Sequence, residues 1–360
     1  MAIPIHELHA SLYFADGNIA LFAQRAPGEY SVFRVHRSML AKLSPIFETM
    51  FGLPTNHAEE KFDGVPLVCM PDGADELESL LMVLYHEMCA TVYPLFDPHN
   101  TTLTSICRTL PFKRLDPSTP QLVKQILRLS NKYGMDHFRH RIVEHLELDW
   151  PQSLDQWDKL EDEIHSIKIS GHTQQSNDPR LQWTYPDDRL PEPASAIRLG
   201  RDCEVPSILP AAFYHISRLS ILNDWHDVRR KLDSSSIHHE LYDGCRTAKW
   251  NLLAAEDLVC LLKGRERLAM AASEMLQIVH PEEDEHWPNE YCIRRCFRVT
   301  EDIQNACRYS RDILCVTRLY MERGRLTEQT CQLCRTSIQQ ALSSFRHQLW
   351  ARLPEIFGLT

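Results

Sequence analysis

The chain opens with two short apolar runs. Ile19, Leu21, Phe22 and Ala23 form the first, and Val32, Phe33 and Val35 form the second. Runs rich in β-branched and aromatic residues favour strands, and Pro27-Gly28 between them is a turn signal, so the pair predicts a hairpin. After His36 the apolar spacing changes. Met39, Leu40 and Leu43 fall on one helical face. Ser44-Pro45 then restarts a helix, with Ser44 as cap and Pro45 at a position that needs no N–H. Ile46, Phe47 and Met50 are its inward stripe. A third strand is expected at 67–70. A third helix is expected at 74–85, capped by Asp72, with Leu77, Leu80, Leu81 and Leu84 facing inward.

Residues 86–118 carry Pro94, Pro98, Pro111 and Pro117 with little periodicity, and read as an insertion in the first domain. Thr119-Pro120 starts another helix, in which Leu122, Ile126, Leu129 and Tyr133 recur at steps of four and three before Gly134. Met135, Phe138, Ile142 and Leu146 stripe the next helix. Residues 151–192 read as a polar linker with a short helix early on. Beyond it, residues 193–360 predict an all-helical region, including 251–276 with a break at Gly264, an acidic loop at 281–290, and two or three helices over 292–357.

A shift of 70 residues superimposes 127–146 on 197–216. Leu127 meets Ile197, Leu129 meets Leu199, Tyr133 meets Cys203, Met135 meets Val205, Phe138 meets Ile208, Ile142 meets Ala212, His145 meets His215, and Leu146 meets Ile216. An apolar pattern that repeats in register predicts a repeated helical hairpin. Asp149-Trp150 has a later counterpart in Asp224-Trp225.

Composition narrows the class. The chain has 360 residues, a net charge of −10 and a charged fraction of 24%, as in an ordinary globular protein. The acidic balance argues against direct nucleic-acid binding through phosphates. No apolar run approaches the roughly 20 residues of a membrane helix. The first residues lack a basic segment followed by an apolar core. With 12 cysteines and no secretory signal, thiols in a reducing compartment are expected, in cytoplasm or nucleus.

The order of elements and their residues resemble the BTB/POZ domain. The matching positions are Asp16, the stretch Phe33-Arg34-Val35-His36-Arg37 with Leu40, Ser44-Pro45 with Phe47, Met50-Phe51, and Leu80-Leu81 with Leu84-Tyr85. The whole chain is further similar to BTB proteins of mushroom-forming fungi in Asp149-Trp150-Pro151, in residues 191–199, and in Trp350, Leu353-Pro354 and Phe357-Gly358-Leu359. The resemblance implies an α+β chain: a BTB/POZ fold over 1–150, a small sheet with helical hairpins, followed by an all-α region. It implies a protein-interaction module that forms a homodimer and acts as scaffold or adaptor. Phe33, Val35, His36, Leu40 and Phe47 would belong to the domain core, and Asp16 and Arg37 would line a charged pocket. The alternative for that pair is a solvated turn aspartate and an exposed arginine. A cullin is one partner the family implies. However, Gly52-Leu53-Pro54-Thr55-Asn56 stands where cullin adaptors carry a hydrophobic-x-Glu motif.

Enzyme signatures are absent from the spacing. The closest glycines are Gly64 and Gly73, too far apart for a dinucleotide fingerprint, a P-loop or a nucleophile elbow. No enzyme is expected. No cofactor is required either, but Cys292 with Cys296 and Cys331 with Cys334 could supply four thiolates to a structural zinc. The alternative is buried thiols, because Cys292, Cys296, Val299, Ile303 and Cys307 also fall on one helical face. A zinc-stabilised or redox-responsive regulator is the corresponding functional alternative.

Overall fold

The computed structural model describes residues 6–53, 60–92, 112–173, 185–230, 241, 245–279, 290–322 and 331–359. These divide into two compact units, Met1–Leu146 and Glu147–Thr360. The division falls inside a helix, a few residues before the expected domain end at 150.

The first unit is built on a sheet of five strands in the order β1-β3-β2-β5-β4. They are β1 (His6–Tyr13), β2 (Ile19–Ala26), β3 (Glu29–Val35), β4 (Lys61–Phe62) and β5 (Val65–Gly73). The expected hairpin is β2–β3, with Ile19 opposite Val35 and Leu21 opposite Phe33. Gly28 in its turn has a φ of +86°, which glycine adopts without a Cβ penalty. β1 and β5 run parallel to β3 and β2, respectively. The strand at 67–70 is therefore longer than its apolar run.

Helices α1 (Arg37–Leu43), α2 (Pro45–Gly52), α3 (Ala74–Val92), α4 (Thr119–Lys132) and α5 (Asp136–Asp149) complete the first unit and lead out of it. Ser44 caps α2 as expected: its Oγ accepts from the Phe47 amide at 3.0 Å and donates to the Tyr133 carbonyl at 2.5 Å. The Phe47 ring stacks on Tyr133 with centroids 4.3 Å apart. Asp72 differs from expectation. Its buried carboxylate accepts from the Tyr133 hydroxyl and Lys132 Nζ, so it ties β5 to α4. The insertion expected over 86–118 is also shorter, because 86–92 continue α3 with no proline to stop it. Residues 93–111 lie outside the described ones.

Among its described residues the second unit is helical, apart from an isolated bridge between Asp224 and Ala248. Its α-helices are α6 (Leu154–Thr173), α7 (Pro193–Asp202), α8 (Leu209–Ser217), α9 (Trp225–Arg230), α10 (Ala255–Val279), α11 (Glu290–Tyr309), α12 (Ile313–Glu322), α13 (Gln332–Ala351) and α14 (Leu353–Ile356). The linker expected over 151–192 is therefore corrected. Twenty of its residues form α6, whose Leu154, Trp157, Leu160 and Ile164 are buried. That stripe is sparse but helical, and tertiary burial of its four side chains outweighs the polar average. Tyr185 and Leu190 also enter the core. No break occurs at Gly264: α10 runs through it, and a Cβ there would stand 2.1 Å from the Phe357 ring. The glycine gives close approach, not a helix end. The loop expected at 281–290 lies almost wholly outside the described residues.

The two hairpins related by 70 residues have the same turn. Gly134 and Glu204 both take left-handed φ, +61° and +54°. The Met135 amide bonds the Ser130 carbonyl at 2.8 Å, and Val205 bonds Gly200 at 2.9 Å. The Tyr133 amide bonds Leu129, and Cys203 bonds Leu199, both at 2.9 Å. The Met135 and Val205 bonds are the six-to-one bond of a Schellman-type ending, and the Tyr133 and Cys203 bonds are the last ordinary helical ones before it. The apolar partners named in the alignment are buried in both copies.

Candidate functional site

The residues of the first unit that the sequence singles out fall into two groups. Phe33, Val35, Leu40 and Phe47 have no exposed surface and form core. His36 stands at the junction of β3 and α1, and is held there by Tyr85. The Tyr85 hydroxyl accepts from the His36 amide and lies 2.9 Å from Nδ1. Phe14 stacks on the Tyr85 ring with centroids 4.7 Å apart.

Asp16 and Arg37 are not joined. Asp16 is exposed and pairs with His36 Nε2 at 3.3 Å, and this hydrogen bond is the main cause that holds its carboxyl below the usual range. Arg37 donates to the Phe51 carbonyl at the end of α2 and lies over the Phe51 ring, 5.7 Å from its centroid. Its backbone amide donates to Asn18 Oδ1 at 2.8 Å. Within one chain this arginine closes a helix end, where a cation is favoured.

The sheet presents a feature the apolar runs did not reveal. β1 is its outermost strand and, among the described residues, pairs only with β3. Such an edge leaves a row of backbone donors and acceptors open to another strand. Leu8 on β1 is 49% exposed and Met82 on α3 is 46% exposed. Ser11 Oγ reaches Met82 Sδ at 3.8 Å, so α3 runs beside the strand. The period-two spacing of Leu8, Ala10 and Leu12, with His9 and Ser11 between them, was the signal available for β1.

In the second unit three of the four candidate thiols converge. Cys331 is the N-cap of α13, and its sulfur lies 3.3 Å from that of Cys334 one turn on. Cys296, on α11, is within hydrogen-bonding reach of Cys334. Burial first, then these two neighbours, raises the Cys334 thiol. The side chain of Cys292 lies outside the described ones. Among the described residues no three potential ligands stand at metal-binding spacing. At 3.3 Å the Cys331 and Cys334 sulfurs stand within hydrogen-bonding reach of each other.

Polar groups from the supposed linker organise the rest of this unit. Asp187 is 1% exposed and accepts from Arg246 Nε at 2.7 Å, from the Thr247 amide at 3.2 Å and from Arg229 Nη2 at 3.3 Å. Glu192 caps α7, accepting from the amides of Ala194 and Ser195 at 3.0 and 2.7 Å and from Lys249 at 3.0 Å. Buried carboxylates survive only when so satisfied. Both sit beside prolines, in Pro186-Asp187 and Pro191-Glu192-Pro193, and that juxtaposition was the only sequence signal for them.

No family model, curated protein or solved structure matches the chain.

Proposed function

We propose that the chain is a protein-interaction protein that pairs with a second copy of itself through its first unit and serves as a scaffold or adaptor. The open outer edge of β1, flanked by exposed Leu8 and Met82, carries this reading. Strand addition at such an edge gives affinity through main-chain hydrogen bonds, and the flanking apolar side chains give specificity. The BTB/POZ resemblance supports the same mode of pairing. Light scattering on the purified chain at roughly tens of micromolar tests it, a range where a weak dimer is still populated. A dimer is expected for the natural sequence, and a monomer for Leu8→Glu combined with Met82→Glu. A monomeric natural chain overturns the reading. Affinity capture with mass spectrometry separates its two uses: a recovered cullin marks a ligase adaptor, and recovery of the chain alone marks a scaffold.

The thiol cluster favours a second reading, a zinc-stabilised helical unit. Cys296, Cys331 and Cys334 would supply ligands together with Cys292. Bound metal would hold the thiols ionised against the burial that raises Cys334. Metal analysis decides it: a folded protein without stoichiometric zinc sinks this reading and leaves the first intact.

A further inference from the structure

A cavity of about 730 Å³ lies within the second unit. Its wall is drawn from α6, α8, the segment at 245–246 and the residues around α12. Four carboxylates and five cations line it, and most of them cancel. Arg218 takes Glu161 at 2.8 Å and Asp312 at 2.5 Å. Arg318 takes Asp162 and Glu322, both at 2.7 Å. Beyond these and the Arg246–Asp187 pair, two cations are left. Lys168 has neither a hydrogen-bond nor an ion-pair partner among the described residues, and Arg311 meets only the Leu219 carbonyl, at 3.2 Å.

Three residues of this wall also carry a buried nitrogen without a hydrogen-bond partner among the described residues: His215 Nε2, Arg218 Nε and Arg246 Nη1. His215 is 3% exposed and Arg246 is 8% exposed. The tautomer of His215 follows from its neighbour. Arg218 Nη2 lies 2.8 Å from His215 Nδ1, and a guanidinium can only donate. Nδ1 is therefore the acceptor and Nε2 carries the hydrogen. Among the described residues of the wall, all the unsatisfied buried side-chain groups are thus donors. Buried donors without acceptors are costly and rare in native proteins.

We propose that this cavity binds a small phosphorylated organic molecule, whose phosphate accepts from His215, Arg218 and Arg246 and is neutralised by Lys168. A tetrahedral oxyanion offers three oxygens to donors arriving from several directions, which suits groups spread over α6, α8 and residue 246 better than a planar carboxylate does. The volume exceeds that of a phosphate alone, and Ile164, Leu219 and Leu319 supply apolar wall for an organic body. The burial of His215 excludes a membrane surface or a nucleic-acid backbone, since neither can follow its phosphate inside. The cations also oppose one another. Lys168 and His215 are both pushed toward their neutral forms, first by burial and then by Arg246, a strain that a bound dianion relieves.

Thermal unfolding of the full chain tests this, with glycerol 3-phosphate, inorganic phosphate and succinate compared against chloride at equal ionic strength. Glycerol 3-phosphate is expected to raise Tm saturably by roughly 2–4 °C. Inorganic phosphate is expected to do less, and succinate nothing. Lys168→Met should keep its Tm in chloride and lose the ligand response, and Arg311→Met should weaken binding by about tenfold. The absence of a saturable response to glycerol 3-phosphate, which would mean that only water satisfies the donors, overturns the proposal. So does an equal response to succinate, or a full response retained by both variants.

Discussion

The hairpins at 127–146 and 197–216 make one turn with two different fates. In the first, α5 buries a single stripe of Phe138, Ile142, Leu146 and Asp149, and its remaining residues are exposed or half-buried. In the second, every residue of α8 except Pro210 is buried. The shared bonds across the turn show that its geometry is local, set by the helix end and the left-handed residue after it. The burial is not local. It follows from what each unit packs around the hairpin, and in the second unit Arg265, Phe357 and the Asp312 pair are among the surroundings of α8. A repeat in sequence thus specifies a motif, while its surroundings decide whether a position is surface or core.

Equivalent positions should then differ most where the surroundings differ most. Phe213 has no exposed surface and stacks on Phe357 with centroids 5.5 Å apart. Its counterpart, Val143, is half-buried. Phe213→Ala is expected to cost about 3–5 kcal/mol, and Val143→Ala less than about 1.5 kcal/mol. Urea unfolding of the two variants measures both. Equal losses would mean that α5 is as enclosed as α8, and would break the comparison.

The same contrast marks how far sequence reasoning reaches. The β2–β3 hairpin, the Ser44 cap and the buried stripes of both repeated hairpins were legible because each depends on neighbours a few residues apart. Helix α6 was not, because Leu154, Trp157, Leu160 and Ile164 are spread among charges that mask the period. The cysteine spacing offered Cys292, Cys296, Cys331 and Cys334 as one candidate set, of which the last three lie close together. Nothing foretold the cavity. Lys168 lay in an apparent linker, Arg246 is 59 residues from the aspartate it grips, and His215 was known only as the partner of His145 in an alignment. Donors assembled from distant segments leave no short-range signature.

Capping is the next test of the comparison. Glu192 accepts from two amides at the start of α7 and from the Lys249 amide, while Ser118, at the equivalent end of α4, makes no side-chain cap. Glu192→Ala should cost about 2 kcal/mol, because two buried amides and the half-buried Lys249 amide lose their acceptor. Ser118→Ala should stay within about 0.5 kcal/mol. Thermal unfolding of both variants checks the pair, and a costly Ser118→Ala would show that its contact with Asp116 supports α4 after all.

The paired histidines give a pH test. His215 is held well below the usual 6.5, first by burial and then by Arg246, Arg218 and Lys168, and His145 is lowered by burial and Arg114. A histidine depressed in the folded state leaves the unfolded chain binding the proton first. Stability is therefore fully present above about pH 6.5 and falls as pH drops below it, at up to 1.4 kcal/mol per pH unit for each group. His215→Gln should flatten the stability profile between about pH 6.5 and 5 more than His145→Gln does. Calorimetry across that window reads the difference. A larger flattening from His145→Gln would reverse the assignment of the enclosed site to the second hairpin.

The smallest effect is the sharpest, because its sign inverts between the copies. Gly134 and Glu204 occupy the same left-handed position, where a Cβ is penalised and glycine is not. A Cβ at Gly134 would find Pro45 Cγ at 3.4 Å, an ordinary contact, so Gly134→Ala meets only the backbone penalty and should cost about 1 kcal/mol. Glu204 is exposed and carries that penalty already. Glu204→Gly should stabilise the chain by a few tenths up to about 1 kcal/mol, the relief of strain being partly offset by the greater freedom of glycine in the unfolded chain. A linear extrapolation from urea melts resolves both signs. If Glu204→Gly destabilises, the interaction that Glu204 makes outweighs its backbone strain, and the two turns are alike in shape but not in what maintains them.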